Sequence, residues 1–314
     1  MMSKPLLEIK SLEKSYGTTP VLKGINLTLE PGMHIGLLGN NGQGKTTLIK
    51  LILGLLRPDQ GSIFLEGVEA VFPRLQHQKR RMGYLPESVG FYDKLTGAGT
   101  LRFLAKLKGV AETEVEPLLE QVGLSYAAHS PVGTYSKGMR QRLGLAQTLL
   151  GSPSILLLDE PTSGLDPEGT REFYAILQRL KQQDVAILTA SHLLAEIETK
   201  LDRMMLLKDG RFVREGAIHE LVGQSGLPIQ IRVVLNKPPQ AVLGKLEKMG
   251  AVATSNGHPH TYDVACSEEE KIGVLDTLLG NKKHISRISV REPGLEEVVH
   301  HYQSLEFDLP GEGK

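Results

Sequence analysis

A glycine-rich run near residue 40 constrains the fold of this chain more than any other part of its sequence. It reads Gly-Asn-Asn-Gly-Gln-Gly-Lys-Thr from Gly39 to Thr46, directly after the apolar run Met33–Leu38. Apolar residues then recur at helical spacing from Leu48 to Leu55. Glycines allow backbone amides to turn around phosphate groups, and the amino terminus of a following helix adds a favourable dipole. The sequence therefore predicts a strand, a phosphate-binding loop and a helix in succession.

The residues of this loop have separate expected roles. Lys45 is expected to neutralise phosphate charge during catalysis, and the hydroxyl of Thr46 is expected to ligate Mg²⁺. The alternative is a glycine-rich turn without a ligand, which the flanking strand and helix disfavour. The residues expected to form the phosphate site are Asn40, Asn41, Gly42, Gln43, Gly44, Lys45, Thr46 and Thr47.

Two acidic residues follow a second buried strand. Asp159 and Glu160 come directly after the apolar run Ile155–Leu158. A carboxylate at the carboxyl end of a strand can hold a metal ion through water, and a neighbouring carboxylate can polarise an attacking water. We therefore expect Asp159 to be a Mg²⁺ ligand and Glu160 to be a catalytic residue. A solvated acidic corner is the alternative, and the phosphate-binding loop upstream argues against it.

Charge, cysteine content and hydropathy exclude several classes of protein. Lysine plus arginine equals aspartate plus glutamate, at 36 residues each, so we expect no nucleic-acid partner. The single Cys266 excludes a disulfide framework and is expected to be a small buried residue. No segment reaches the roughly 18 unbroken apolar residues of a membrane-spanning helix, and the amino terminus lacks a secretory core. We therefore expect a cytoplasmic protein that works at a membrane only through a partner.

The chain is expected to form two domains. Short strands alternate with helical patterns from Leu7 to Leu221, which predicts an α/β domain with a largely parallel sheet. After a change in composition at Gly223–Pro228, the order strand, helix, strand, strand, helix, strand predicts a small α+β ferredoxin-like domain. The expected boundaries are 1–223 for the first domain, with a helical subdomain at about 88–152, then 224–304 for the second and 305–314 for a flexible tail.

A third segment completes a family pattern. Tyr135-Ser136-Lys137-Gly138-Met139-Arg140-Gln141-Arg142 lies upstream of the acidic pair, and Ser136 is expected to cap a helix. Together, and in this order, the three segments resemble the ATP-binding subunits of ABC transporters over about the first 220 residues. The resemblance implies the P-loop ABC ATPase fold, with ATP and Mg²⁺ as substrate and cofactor.

The resemblance also implies roles for single residues. It matches Tyr16 to an aromatic ring that stacks on adenine, and Asp166 to a loop that crosses between subunits. His192 matches a histidine that contacts the γ-phosphate. Ser136 and Gly138 match groups that face phosphate.

Three positions depart from the family pattern. Glu87 occupies a position where most relatives have glutamine, and it is expected to reach Mg²⁺ or water. Lys137 and Met139 replace the commoner glycine and glutamine.

The same resemblance implies the partners and the mechanism. Two copies would sandwich two ATP molecules head to tail, and the helical region would dock on integral membrane permease subunits at the inner face of the membrane.

Further stretches resemble the ATPase subunits of NosDFY-type transporters, which serve the copper-linked maturation of nitrous oxide reductase with a periplasmic accessory protein. These stretches are Tyr84–Val89, Phe91-Tyr92, Leu107–Gly109, Leu118–Leu124, Tyr135–Leu150, Gly226–Ile229 and Pro293–Glu297. The alternatives are the ATPase of an unrelated exporter of drugs, lipids or polysaccharide, and a soluble ABC ATPase that is not a transporter.

Overall fold

The computed structural model divides the chain into two compact units, residues 1–217 and 218–314. It describes residues 4–71, 78–191, 200–236, 244–245, 248, 252–253 and 260–305. Helix α6, Ile218–Gln224, belongs to the second unit, because the hydroxyl of Tyr302 donates a hydrogen bond to the carbonyl of Leu221 at 3.1 Å. The division therefore falls a few residues before the predicted one at 223–224. The predicted site residue His192 and the predicted tail from 306 onward lie outside the described residues.

A six-stranded sheet forms the centre of the first unit, in the order β10-β9-β3-β8-β7-β6. Its strands are β3 (His34–Leu38), β6 (Met82–Leu85), β7 (Ile155–Asp159), β8 (Ala186–Ser191), β9 (Arg203–Lys208) and β10 (Arg211–Gly216). All neighbours are parallel except β9 and β10. The predicted, largely parallel sheet is confirmed, and its central strands are buried along their whole length, as their apolar runs require.

A second, antiparallel sheet lies in the same unit, in the order β2-β1-β4-β5. Its strands are β1 (Leu7–Tyr16), β2 (Thr19–Leu29), β4 (Gln60–Leu65) and β5 (Val68–Glu69). On β2, Ile25, Leu27 and Leu29 are buried and alternate with exposed residues. Apolar side chains of both sheets and of helix α1, Lys45–Ile52, form one continuous core, which holds the loop before α1 in place.

The helices of the first unit have local reasons for their ends. They are α1, α2 (Gly97–Lys108), α3 (Val115–Gln121), α4 (Lys137–Leu149) and α5 (Pro167–Lys181). The hydroxyl of Thr96 caps α2 by accepting from the amide of Gly99 at 3.0 Å, and Gly109 ends it in the left-handed conformation. Ser136 caps α4, as predicted.

The second unit contains a four-stranded sheet in the order β12-β13-β11-β14, and all neighbours in it are antiparallel. Its further elements are β11 (Ile229–Leu235), β12 (Val252–Ala253), β13 (Thr261–Cys266), α7 (Glu268–Leu279), β14 (Ile285–Arg291) and α8 (Leu295–Ser304). Every second residue of β11 is buried, and Cys266 is buried beside them. The first helix of the predicted C-terminal order, expected between β11 and β12, lies mostly outside the described residues.

The first residue of β3 is a buried histidine. Nε2 of His34 lies 2.9 Å from the hydroxyl of Thr189 on β8, and the backbone amide of His34 donates to the Asp202 carboxylate at 2.8 Å. Burial lowers the pKa of His34 to about 4, although the charge of Asp202 acts in the opposite direction. The imidazole is therefore neutral in the folded protein at pH values where it is protonated in the unfolded chain.

This histidine makes stability depend on pH. The unfolded imidazole titrates near 6.5, so the stability that depends on neutral His34 is fully present above that pH and is lost as pH falls toward about 4. When the pH is lowered from 7.5 to 5.0, we expect the titration of His34 to decrease the free energy of unfolding by about 2 kcal/mol. Urea unfolding of the natural protein and of His34→Gln measures this loss. Over the same pH interval, the unfolding free energy of the glutamine variant should fall by about 2 kcal/mol less than that of the natural protein. Equal decreases in the two proteins would contradict the assignment.

Candidate functional site

A cavity of about 270 Å³ lies where β3 and β7 end in the first unit. Parallel strands place their carboxyl ends at one edge of a sheet, so the loops that follow them meet there. The loop after β3 and the acidic pair at the end of β7 both line the cavity. Its lining residues are Tyr16, Val21, Asn40, Asn41, Gly42, Gly44, Lys45, Thr46, Thr47, Glu87, Asp159 and Glu160.

Glycine is required in the loop for two different reasons. Gly44 has φ +107°, and a β-carbon there would lie 2.8 Å from Cδ2 of Leu22, so the residue before α1 has no space for a side chain. Gly42 has φ +84° and no atom within 4 Å of the position of a β-carbon, so it leaves open space for a ligand. No side chain caps the amino terminus of α1, which begins at Lys45. A loop of this shape is suited to an anion.

Lys45 places its ammonium group inside this site. Nζ donates to the carbonyl of Gly39 at 2.5 Å and lies 3.7 Å from Oε1 of Glu160. The Lys45 and Glu160 side chains are 6% and 8% exposed. Burial lowers the pKa of Lys45, and the negative charges of Glu160 and Asp159 oppose that shift. The loop therefore holds one cation directly beside two carboxylates.

Thr46 and Asp159 bring two oxygen atoms together at the same edge. The hydroxyl of Thr46 donates to Oδ2 of Asp159 at 3.0 Å. Burial raises the pKa of Asp159, and the hydrogen bond from Thr46 opposes that shift. Hydroxyl and carboxylate oxygens are the ligands that Mg²⁺ prefers. This donor set therefore fits a magnesium ion.

An unusual backbone conformation directs Glu160 to the cavity. Successive residues of a strand point to opposite faces, so a regular continuation of β7 would separate the side chains of Asp159 and Glu160. Glu160 instead has φ +48°, which costs an ordinary residue about 1 kcal/mol. Its amide donates to the carbonyl of Ala190 at 2.9 Å, and its carbonyl accepts from the amide of Ser163 at 3.1 Å. These bonds hold the turn that places both carboxylates at one cavity.

Two further predicted residues line the cavity. Tyr16 ends β1 beside a tight turn, with 49% of the residue exposed. Glu87 follows β6 and is exposed. Burial is the main cause of the raised pKa of Asp159, and the negative charges of Glu160 and Glu87 raise it further. The negative charge of Glu87 therefore acts on Asp159, and its contact with Mg²⁺ or water stays a prediction.

Other predicted residues do not line the cavity of their own chain. Ser136 accepts from the amide of Met139 at 3.2 Å, and Asp166 caps α5 by accepting from the amide of Gly169 at 2.7 Å. Gln43 accepts from the amide of Asp209 at 2.5 Å. Gly138, like these three, is absent from the lining.

Val21 also lines the cavity, although no sequence motif indicated it. It lies on β2, shortly after Tyr16 and well before the phosphate-binding loop along the chain. A β-carbon on Gly44 would lie 3.1 Å from the carbonyl oxygen of Val21, so β2 passes directly beside the phosphate-binding loop.

Known proteins match this chain along most of its length. The family model described as ABC transporter matches residues 22–163. The lantibiotic transport ATP-binding protein SrtF of Streptococcus pyogenes is 36% identical over 67% of this chain and 90% of its own. The bacitracin transport ATP-binding protein BcrA of Enterococcus faecalis is 35% identical over 95% and 96% of the two chains. Similarity to the second relative therefore extends through the second unit.

A solved structure supports the same fold. Described as the ATP binding subunit of an ABC transporter, it superposes with a TM-score of 0.63 at 32% identity, over 70% of this chain and 93% of its own. Within the described residues, no helix is both long enough and apolar enough to span a membrane. Those residues also contain no group of three or more histidine, cysteine, aspartate or glutamate side chains suited to hold a metal ion.

Proposed function

This chain belongs to the ABC transporter ATP-binding family and is the ATPase subunit of such a transporter, and we propose that two copies of it power the export of peptide antibiotics. The observation that carries the mechanism is the meeting of Lys45, Thr46, Asp159 and Glu160 at one cavity. The cargo is supported by the names of relatives, which are transport proteins for a lantibiotic and for bacitracin.

The proposed reaction is the hydrolysis of ATP to ADP and phosphate. The Glu160 carboxylate orients a water molecule and accepts its proton while the water oxygen bonds to the γ-phosphorus and the bond to the β-phosphate oxygen breaks. Lys45 neutralises the charge of the phosphates, and the loop amides from residue 40 to residue 47 hold them. His192 is proposed to contact the γ-phosphate.

Mg²⁺ would be held by Thr46, Asp159 and Glu87. When bound, it would supply positive charge to the phosphate oxygens.

A homodimer accounts for three of the predicted residues that do not line the cavity of their own chain. Ser136, Gly138 and Asp166 are proposed to complete the site of a partner copy, because none of them lines the cavity of its own chain. Binding of ATP then favours the closed dimer, and hydrolysis followed by phosphate release favours opening. Closing and opening would move the permease subunits on which the two copies dock at the cytoplasmic face of the membrane.

The C-terminal unit is proposed to be ferredoxin-like. Its sheet order, β12-β13-β11-β14 with antiparallel neighbours, is the order that two interleaved βαβ units produce. The similarity to BcrA over 95% of this chain indicates that this unit is part of the transporter subunit.

The NosDFY-type resemblance, with its copper link and periplasmic partner, is a narrower hypothesis that neither of the two relatives supports. The transport of peptide antibiotics is the better supported alternative.

The cargo can be tested on the complex isolated from native membranes in mild detergent. After insertion into lipid vesicles, its ATP turnover is measured with bacitracin, with a lantibiotic and with cuprous ion. We expect the peptides to raise turnover, and the complex that carries Lys45→Met provides the control for background hydrolysis. Stimulation by cuprous ion alone would overturn the proposed cargo, and recovery of the chain without any membrane partner would overturn the role in transport.

Tyr16 is expected to contribute to ATP binding through its ring. Base–aromatic stacking is worth about 1–3 kcal/mol, so Tyr16→Ala should raise KM for ATP about tenfold with little change in kcat. Tyr16→Phe keeps the aromatic ring, so its KM for ATP should stay near that of the natural protein. Tyr126→Ala provides a matched control, because Tyr126 is 75% exposed and does not line the cavity. Equal KM values for the two alanine variants would exclude stacking by Tyr16.

A further inference from the structure

The amino terminus of α4 carries an unusual charge. Lys137 is its first helical residue, directly after the capping Ser136, and the first turn contains no acidic residue. The dipole of a helix makes its amino terminus positive, so acidic side chains are favoured there and a lysine is disfavoured. The positive end of this helix therefore carries an added cation and no compensating carboxylate of its own.

The neighbouring cations on α4 form ion pairs within the subunit. Arg140 pairs with Asp93 at 3.0 Å, and Arg142 pairs with Glu172 at 3.2 Å. Lys137 is exposed and forms no ion pair within the part of the chain that the structure describes. Of these three cations, it alone has no carboxylate partner among the described residues, so it is available to a group outside the subunit.

The side chain of Lys137 lies on the loop that precedes α5. A β-carbon on Gly164 would lie 2.1 Å from Nζ of Lys137 and 3.2 Å from its Cε. Gly164 has φ +70° and no side chain, so its backbone leaves room for the ammonium group. On the other side of Lys137, Gly138 is close to Leu165 of the same loop. Lys137 is thus held beside Ser136 and Gly138, at the surface proposed to face the partner copy.

We propose that Lys137 contacts the phosphates of the ATP bound by the partner subunit, as a cation supplied in trans. The inference rests on the proposed homodimer, in which the amino terminus of α4 completes the partner's site. An ammonium group on a flexible stem is a compact charge that can leave Gly164 and reach a phosphate oxygen. Its contact with phosphate is a charge-assisted hydrogen bond that a neutral side chain does not provide. Lys137 is therefore a nucleotide-binding residue for the reaction of the other subunit.

The first test compares homodimers in a background that carries Glu160→Gln, in which ATP is bound but hydrolysed slowly. Assembly is followed by sedimentation velocity as ATP is added. We expect Lys137→Met to require about tenfold more ATP for half-maximal assembly, since a hydrogen bond to a charged group contributes enough for that factor. Lys137→Arg keeps the charge, so its ATP concentration for half-maximal assembly should stay within about threefold of that of the background protein. The affinity of the single chain for ADP should not change in either variant.

The second test asks which subunit's ATP the lysine serves. Two chains with different tags, both in the same background, are mixed in two arrangements that contain the same substitutions. In the first, one chain carries Lys45→Ala and the other carries Lys137→Met, so the intact phosphate loop faces an intact Lys137. In the second, one chain carries both substitutions, so the intact loop faces the substituted position. Capture of one tag with the other is measured over a range of ATP concentrations.

We expect the first arrangement to assemble at about tenfold lower ATP than the second. Equal capture in the two arrangements, or unchanged assembly of the Lys137→Met homodimer, would overturn the role of Lys137 and leave the proposed function intact. If the background variant itself does not assemble with ATP, the homodimer is wrong and the role of Lys137 is wrong with it.

Discussion

Replacing Glu160 with glutamine is expected to lower ATP turnover about 100-fold or more and to leave ATP bound between two copies of the chain. Glutamine has nearly the same shape but cannot accept the proton of the attacking water. Lys45 and the Thr46–Asp159 pair, which hold the phosphates and Mg²⁺ in the proposed mechanism, remain in place. Binding and dimer closure should therefore survive while hydrolysis is lost.

Turnover is measured by phosphate release, and the dimer by size-exclusion chromatography with light scattering in the presence of ATP. Glu120→Gln is a matched control, because Glu120 is exposed on α3 and does not line the cavity. The control should hydrolyse ATP at the natural rate and should not accumulate as a dimer. Natural turnover in Glu160→Gln would remove Glu160 from the catalytic step. A slow variant that stays monomeric with ATP would contradict the homodimer instead.

Replacing Lys45 with methionine is expected to lower ATP turnover about 100- to 1,000-fold, because a buried cation directed at the phosphates is lost. Unlike the glutamine variant at position 160, this variant should also bind ATP weakly and should not assemble. Equilibrium binding of a fluorescent ATP analogue distinguishes Lys45→Met from Glu160→Gln. Natural affinity in Lys45→Met would contradict the placement of the phosphates at this loop.

The same substitution should also affect stability through Glu160. With both side chains less than a tenth exposed and 3.7 Å apart, removal of the lysine takes a charge partner from a buried carboxylate. Adding Glu160→Gln removes that carboxylate, so the double variant should regain stability but not activity. We expect a coupling free energy of about 1–2 kcal/mol between the two positions, measured by urea unfolding of the four proteins. Strictly additive losses would show that the two side chains do not stabilise each other.

The parts of the site that could be predicted from the sequence are those that local chemistry specifies. The loop before α1 requires glycines wherever its backbone turns, and a carboxylate that follows a buried strand must lie at the edge of the sheet. Both patterns appear within short segments, Gly39–Thr46 and Ile155–Glu160, so they can be read without a structure. The parallel sheet follows from the same alternation of buried strands and helices.

What the sequence did not show depends on contacts between distant segments. The left-handed conformation of Glu160 depends on its bond to Ala190 on the neighbouring strand, and no residue type at position 160 signals it. Val21 reaches the cavity because β2 passes beside Gly44 of the phosphate-binding loop. The position of Lys137 over Gly164 likewise joins two loops, and its sequence neighbours show only a capped helix. In each case tertiary structure determines a side-chain position on which local propensity has no influence.

The place of β14 at the end of its sheet has a consequence for self-association. An edge strand offers unpaired backbone groups to any other edge, and proteins discourage such pairing with charged side chains. Arg287 and Arg291 lie exposed on β14. If two copies of this strand paired antiparallel about Arg287, the two Arg287 side chains would face each other, and their like charges would repel. Arg287 thus disfavours self-association of the unit through that register, and the ATP-dependent dimer proposed above is a separate mode of assembly.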